Sequence, residues 1–177
     1  MPEIIPIVNE LDEVIGSVEK HNFDKTTGRI YRTVSFYLFD KSGKILIQRR
    51  ADSKKTYAGK WDFAAAAGHV SLGESYLEAV QREVSEEIGL ENINFLLAGK
   101  DFTETPEGKR RFTQIYWAKE DFSVEDLKIS NREVSEVKLV SVEELKNMLV
   151  ENPGQFANYD GPDTARKNLN RIIKLSN

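Results

Sequence analysis

The chain has 177 residues, 40% hydrophobic and 31% charged, a balance that suits one soluble domain with a sizeable core. A formal net charge of −4, with no Lys/Arg stripe interleaved with aromatics, argues against polymeric nucleic acid as a partner, and zero Cys excludes disulfides, thiolate metal sites and thiol nucleophiles together. The start has no basic region followed by an apolar run, and no run of about 18 apolar residues occurs, so no membrane contact and a cytoplasmic location are expected.

Glu3 to Val8 is short and apolar and Leu11 to Val18 partly alternates, so residues 1–29 read as an N-terminal extension of strands packed on a sheet. His21 to Gly28 is a turn-rich connector. In Ile30 to Phe39, Val34, Phe36 and Leu38 share one face and Tyr37 and Phe39 the other, the pattern of a strand buried on both sides. Asp40-Lys41-Ser42-Gly43 turns the chain into a partner strand, Lys44 to Gln48. Arg49 to Lys55 follows as a basic loop. Its Lys54 and Lys55 are candidate contacts for an anionic substrate, the alternative being ordinary solvated surface.

Trp61 to Ala67 (WDFAAAA) is too short for an independent helix and reads as an extended segment leading into Gly68. Gly68 and Gly73 permit a tight backbone path, and no Gly-Lys-Ser/Thr follows to make it a P-loop. A helix from about Ser75 to Glu87 comes next, with Gly89 as its C′ residue. Its apolar stripe is Leu77, Val80, Val84 and Ile88. Glu83, Glu86 and Glu87 fall within an arc of roughly 100°. No Lys follows four residues after any of them, so their repulsion calls for a cation from outside the helix. Clustered carboxylates are the hard ligands that Mg²⁺ or Mn²⁺ selects, together with waters and substrate phosphates.

Ile93 to Thr103 and Arg110 to Lys119 read as two strands around the turn Pro106-Glu107-Gly108-Lys109. Asn131 to Val140 is a strand entered through a loop with two more acids, Glu133 and Glu136. Ser141-Val142-Glu143-Glu144 is a capping box opening a helix to about Val150. Within the C-terminal segment 153–177, Pro162 to Leu175 reads as a closing helix with Leu169, Ile172 and Ile173 inward.

The stretch from Gly68 to Leu90 resembles the signature of the Nudix hydrolases, G-x5-E-x7-R-E-U-x-E-E-x-G-U, with U a bulky aliphatic residue. Gly68, Glu74, Arg82, Glu83, Val84, Glu86, Glu87, Gly89 and Leu90 meet every fixed position. A weaker likeness runs from about Leu11 to Leu145 and is most like the branch related to isopentenyl diphosphate isomerases. The resemblance implies an α/β fold, an α/β/α sandwich with a mixed β-sheet, as one domain over residues 1–177. It also implies a metal-dependent hydrolase that cleaves a diphosphate linkage in a nucleoside diphosphate derivative or related phosphorylated small molecule.

On that resemblance, Glu83, Glu86, Glu87 and the Gly68 carbonyl are metal ligands, and Glu86 doubles as general base. Arg82 orients a glutamate through a bidentate contact, and Glu74 ties the loop to the helix. Glu133 and Glu136 lie where a further carboxylate can come from. Two alternatives stay open: an isomerase, and a non-catalytic nucleotide-binding module. Against the first, Ala67-Gly68-His69 stands where the isomerases carry Cys-Gly-His; against the second, no catalytic acid of the signature is lost. A homodimer also stays open.

Overall fold

The structure, a computed structural model, describes residues 2–176. An N-terminal hairpin, β1 (Ile4–Val8) and β2 (Val14–Glu19), leads to the long strand β3 (Ile30–Asp40) and to β4 (Ile45–Arg50). The short strands β5 (Trp61–Asp62) and β6 (Ala66–His69) precede helix α1 (Tyr76–Ile88). Strands β7 (Leu96–Glu104) and β8 (Arg110–Glu120) follow, then β9 (Val134–Val140) and the helices α2 (Val142–Glu151) and α3 (Thr164–Ser176). The nine strands form one mixed sheet.

β3 is the axis of that sheet. On one side β8 runs parallel to it over its full length, from Ile30 opposite Arg110 to Asp40 opposite Glu120, and β7 pairs with β8 beyond. On the other side three strands share it antiparallel: β1 at Tyr31, β6 from Thr33 to Phe36, and β4 only at Phe39 opposite Ile45. β3 and β4 therefore diverge, and β4 turns to pair with β5 and β9. The divergence leaves a cleft of about 660 Å³, with Ser35 and Ala67 on one wall and Gln48 and Asp62 on the other.

The alternation read in β3 decides the layers. Val34, Phe36 and Leu38 pack with Ala79, Val80, Val84 and Ile88 of α1, whereas Tyr37 and Phe39 pack with Leu145 of α2 and Ala165 and Ile172 of α3. Helices cover both faces, as an α/β/α sandwich requires. Leu77 departs from the expected stripe. It is exposed and Ala79 takes the buried position, because the strip of sheet beneath the first turn of α1 lies under Ala79 and Val80.

The helix ends follow their capping chemistry. Ser75 and Glu78 form one capping box, Ser141 and Glu144 another, and Gly89 closes α1 in the left-handed region at φ 71°. The N-terminal hairpin is tied down by Asp12, which accepts from Arg32 Nε at 2.6 Å and from the Tyr76 hydroxyl at 2.9 Å. Among the described residues, no helix is long and apolar enough to cross a membrane.

Candidate functional site

α1 delivers its acids to the cleft through its pitch and its seat. With Val80, Val84 and Ile88 facing the sheet, Glu83 and Glu87 are carried to the edge of β6 and are themselves buried. The Glu83 carboxylate packs onto Gly68, where an added Cβ would fall 1.9 Å from its Oε1. The absence of a side chain at Gly68 therefore makes room for an acid, and its backbone is ordinary strand paired with Val34. Gly73, at φ 85°, supplies the turn into the helix.

Arg82 is the hub of the loop. Its Nε and Nη2 donate to the two Glu74 oxygens at 2.9 and 3.0 Å, Nη2 also reaches the His69 carbonyl at 2.9 Å, and Nη1 donates to Glu83 Oε1 at 2.8 Å. The bidentate contact thus goes to Glu74, and a single bond steers Glu83. Glu74 accepts in addition from the Ser71 N–H at 2.8 Å, which ties loop to helix as expected. Glu86 is mostly exposed and sits 3.4 Å from Arg82 Nη1, so the helix does relieve one of its acids through an (i, i+4) pair.

Glu87 is the strained group. Burial first, and the Glu83 charge second, push its carboxyl up to about 8, offset only in part by Gln48 Nε2, which donates at 3.3 Å. Burial raises Glu83 as well, with Arg82 opposing. Gln48 Oε1 and His69 Nε2 are buried with no partner. Two buried acids beside an unpartnered amide oxygen form a hard-oxygen donor set with surplus negative charge, which fits a divalent cation. Among the described residues no three His, Asp or Glu side chains gather into a ready metal cage: Glu83 and Glu87 are buried at the cleft, whereas the expected third ligand, Glu86, is turned toward Arg82 and solvent.

The two lysines of the basic loop separate in space. Lys54 lines the cleft and is ion-paired with Glu133, whereas Lys55 is exposed and outside the lining. Glu133 is in the cleft too, and Glu136 is turned out, 3.9 Å from Arg49. Among the cleft residues that escaped the sequence reading are Gln48, Asp62, Tyr159 and Arg111. Gln48 and Asp62 carry a signal, each being a polar residue in an otherwise apolar strand segment. Tyr159 and Arg111 carry none, because only the fold brings them to the cleft.

A family model for the NUDIX domain matches residues 29–159. The chain belongs to the Nudix family. An uncharacterised Nudix hydrolase of Pseudomonas aeruginosa is 33% identical over 141 residues, 80% of each chain. A Deinococcus radiodurans protein of known crystal structure superposes with a TM-score of 0.75 at 25% identity, over 93% of this chain and 98% of that one. An isopentenyl-diphosphate Delta-isomerase of Serratia proteamaculans is 39% identical, but over 89 residues, 50% of this chain and 49% of the isomerase. This Nudix chain is accordingly an enzyme of the hydrolase family, with the mixed-sheet sandwich of its structural relatives. Nudix hydrolases in general use divalent metal ions.

Proposed function

We propose that this Nudix protein hydrolyses a diphosphate linkage in a nucleoside diphosphate derivative or related phosphorylated small molecule, with Mg²⁺ or Mn²⁺. The observation that carries the reading is the buried pair Glu83 and Glu87, facing the cleft with the Glu87 carboxyl raised to about 8. Such a pair is costly unless a cation shares it.

Glu83, Glu86, Glu87 and the Gly68 carbonyl are assigned to hold that cation, which when bound neutralises phosphate charge and makes water more acidic. The chain's own groups do the rest. Arg82 holds Glu83 against Gly68 and fixes the loop through Glu74 and the His69 carbonyl. Glu86, solvent-accessible at the cleft rim, is assigned to accept the proton of the attacking water. Lys54 and Arg50, on the opposite wall, balance the phosphate charge. Lys55 joins them only if its exposed loop closes on the substrate.

The test is to incubate the protein and Mg²⁺ with nucleoside di- and triphosphates, nucleotide sugars and dinucleotides, and to read the products by phosphorus NMR. Glu83→Gln and Glu87→Gln are expected to lower turnover by about two orders of magnitude while the fold is kept. Wild-type turnover by both variants at saturating Mg²⁺ would remove the metal assignment.

A further inference from the structure

A group of cations outside the α1 constellation lines the cleft where β3 begins. Tyr31 on β3 and Arg111 on β8 are direct neighbours in register, so their side chains share one face of the sheet. Lys25 Nζ lies 5.2 Å from the centroid of the Tyr31 ring, which also stacks on His69 at 5.5 Å and meets Phe23 edge-on at 5.4 Å. The β7–β8 turn is brought against the preceding connector: a Cβ on Gly108 would fall 2.9 Å from the Thr26 carbonyl oxygen. That approach delivers Lys109 to the same rim of the cleft.

Of the neighbouring acids, Asp160 pairs with Arg111 inside this group, and the others are committed elsewhere. Asp24 accepts from the Thr26 N–H at 2.9 Å and from the Thr26 hydroxyl at 2.7 Å, closing its own turn. Glu3 is taken by Lys20 at 2.7 Å, Asp160 by Arg111, and Glu107 by Thr105. Among the described residues, no carboxylate stands at ion-pairing distance from Lys25 or Lys109. Burial, and then the charges of Arg111, Lys20 and Lys109, push the Lys25 ammonium down to about 8. A half-buried lysine among like charges with no counter-ion is the complement of the acid pair at the other site: it lacks an anion.

Position separates the two sites. Gly68 pairs with Val34, three residues along β3 from Tyr31, which is about 10 Å at strand rise. That is further than the two phosphorus atoms of one anhydride stand apart. We propose that Lys25, Lys109 and Arg111 form a second anion subsite, which takes a phosphoryl dianion that the substrate carries beyond the anhydride it loses. The substrate class is then a diphosphate with an additional phosphate. This placement of the cleaved anhydride rests on the hydrolase reading above, whereas the subsite itself does not.

The experiment has two arms. In the first, inorganic phosphate is titrated into the full chain in the presence of a chelator, and into Lys25→Met and Lys109→Met, with folding checked by circular dichroism. Each variant is expected to weaken phosphate binding about tenfold or more. No binding by the wild type, or wild-type affinity in both folded variants, overturns the subsite.

In the second arm, kcat/KM is compared for dinucleotides with and without a 2′-phosphate, and for nucleoside triphosphates against diphosphates. A preference for the extra phosphate that falls about tenfold in Lys25→Met is expected, and the pair in which it falls tells whether that phosphate sits on the organic group or ends the linear chain. A preference unmoved in both pairs overturns the role in substrate selection. Should no diphosphate be cleaved at all, the hydrolase reading fails, and the phosphate titration still decides the subsite.

Discussion

The Glu83 carboxylate occupies the space that a side chain at residue 68 would fill, with Oε1 1.9 Å from the position of the missing Cβ. Gly68→Ala must therefore displace the acid, while the strand backbone at this position tolerates alanine. The expected result is a loss of roughly a hundredfold in kcat, the scale of an ångström-level misplacement, with a melting temperature near that of the wild type. Wild-type turnover in the alanine variant would show that the packing of Glu83 on Gly68 is incidental.

Glu87 makes stability depend on pH and metal. Its ordinary carboxyl value is 4.5 and its value in the metal-free fold is about 8. Between these, the unfolded chain has released a proton that the native state retains. Stability of the metal-free protein is accordingly unaffected by Glu87 below pH 4.5, falls as pH rises from there to about 8, and stays reduced above. Thermal melts in a chelator across this range are expected to show the decline. Glu87→Gln removes this contribution, and Mg²⁺ offsets it at neutral pH. A metal-free profile equally steep in Glu87→Gln would place the effect elsewhere.

Lys54 and Lys55 are adjacent in sequence and different in place. Lys54 faces the cleft in an ion pair with Glu133, and Lys55 faces outward. Lys54→Ala is expected to raise KM about tenfold with a smaller change in kcat, the pattern of lost uniform binding, and to do so by more than Lys55→Ala. Steady-state kinetics on the best substrate settle the order; equal effects would mean that the loop rearranges on binding.

We propose that Ala67 sets this chain apart from the isomerases that it resembles. It lines the cleft beside Gly68, opposite Ser35, and brings only a methyl group to the place where the isomerases carry a cysteine. Moving a double bond needs one group to add a proton and another to remove one. With isopentenyl diphosphate and Mg²⁺ in deuterated water, no deuterium is expected in the carbon skeleton. Formation of deuterated dimethylallyl product would overturn the hydrolase reading.

Local chemistry made much of this legible from the sequence alone. The span and C-terminal stop of α1, the two-faced burial of β3, the extended path of WDFAAAA and the spacing of Glu83, Glu86 and Glu87 all follow from backbone periodicity and nearest neighbours, so composition and order determine them. The tertiary structure decided what depends on long-range register. The parallel pairing of β3 with β8 sets Arg111 beside Tyr31, 80 residues away along the chain, and the divergence of β3 from β4 gives the cleft its second wall at Gln48 and Asp62. The path of the loop after β4 turned Lys54 to Glu133 and left Lys55 exposed, and the seat of α1 exposed Leu77 while burying Ala79. Side-chain periodicity says which residues share a face of an element; it does not say which elements meet, because that is set by packing over the whole chain.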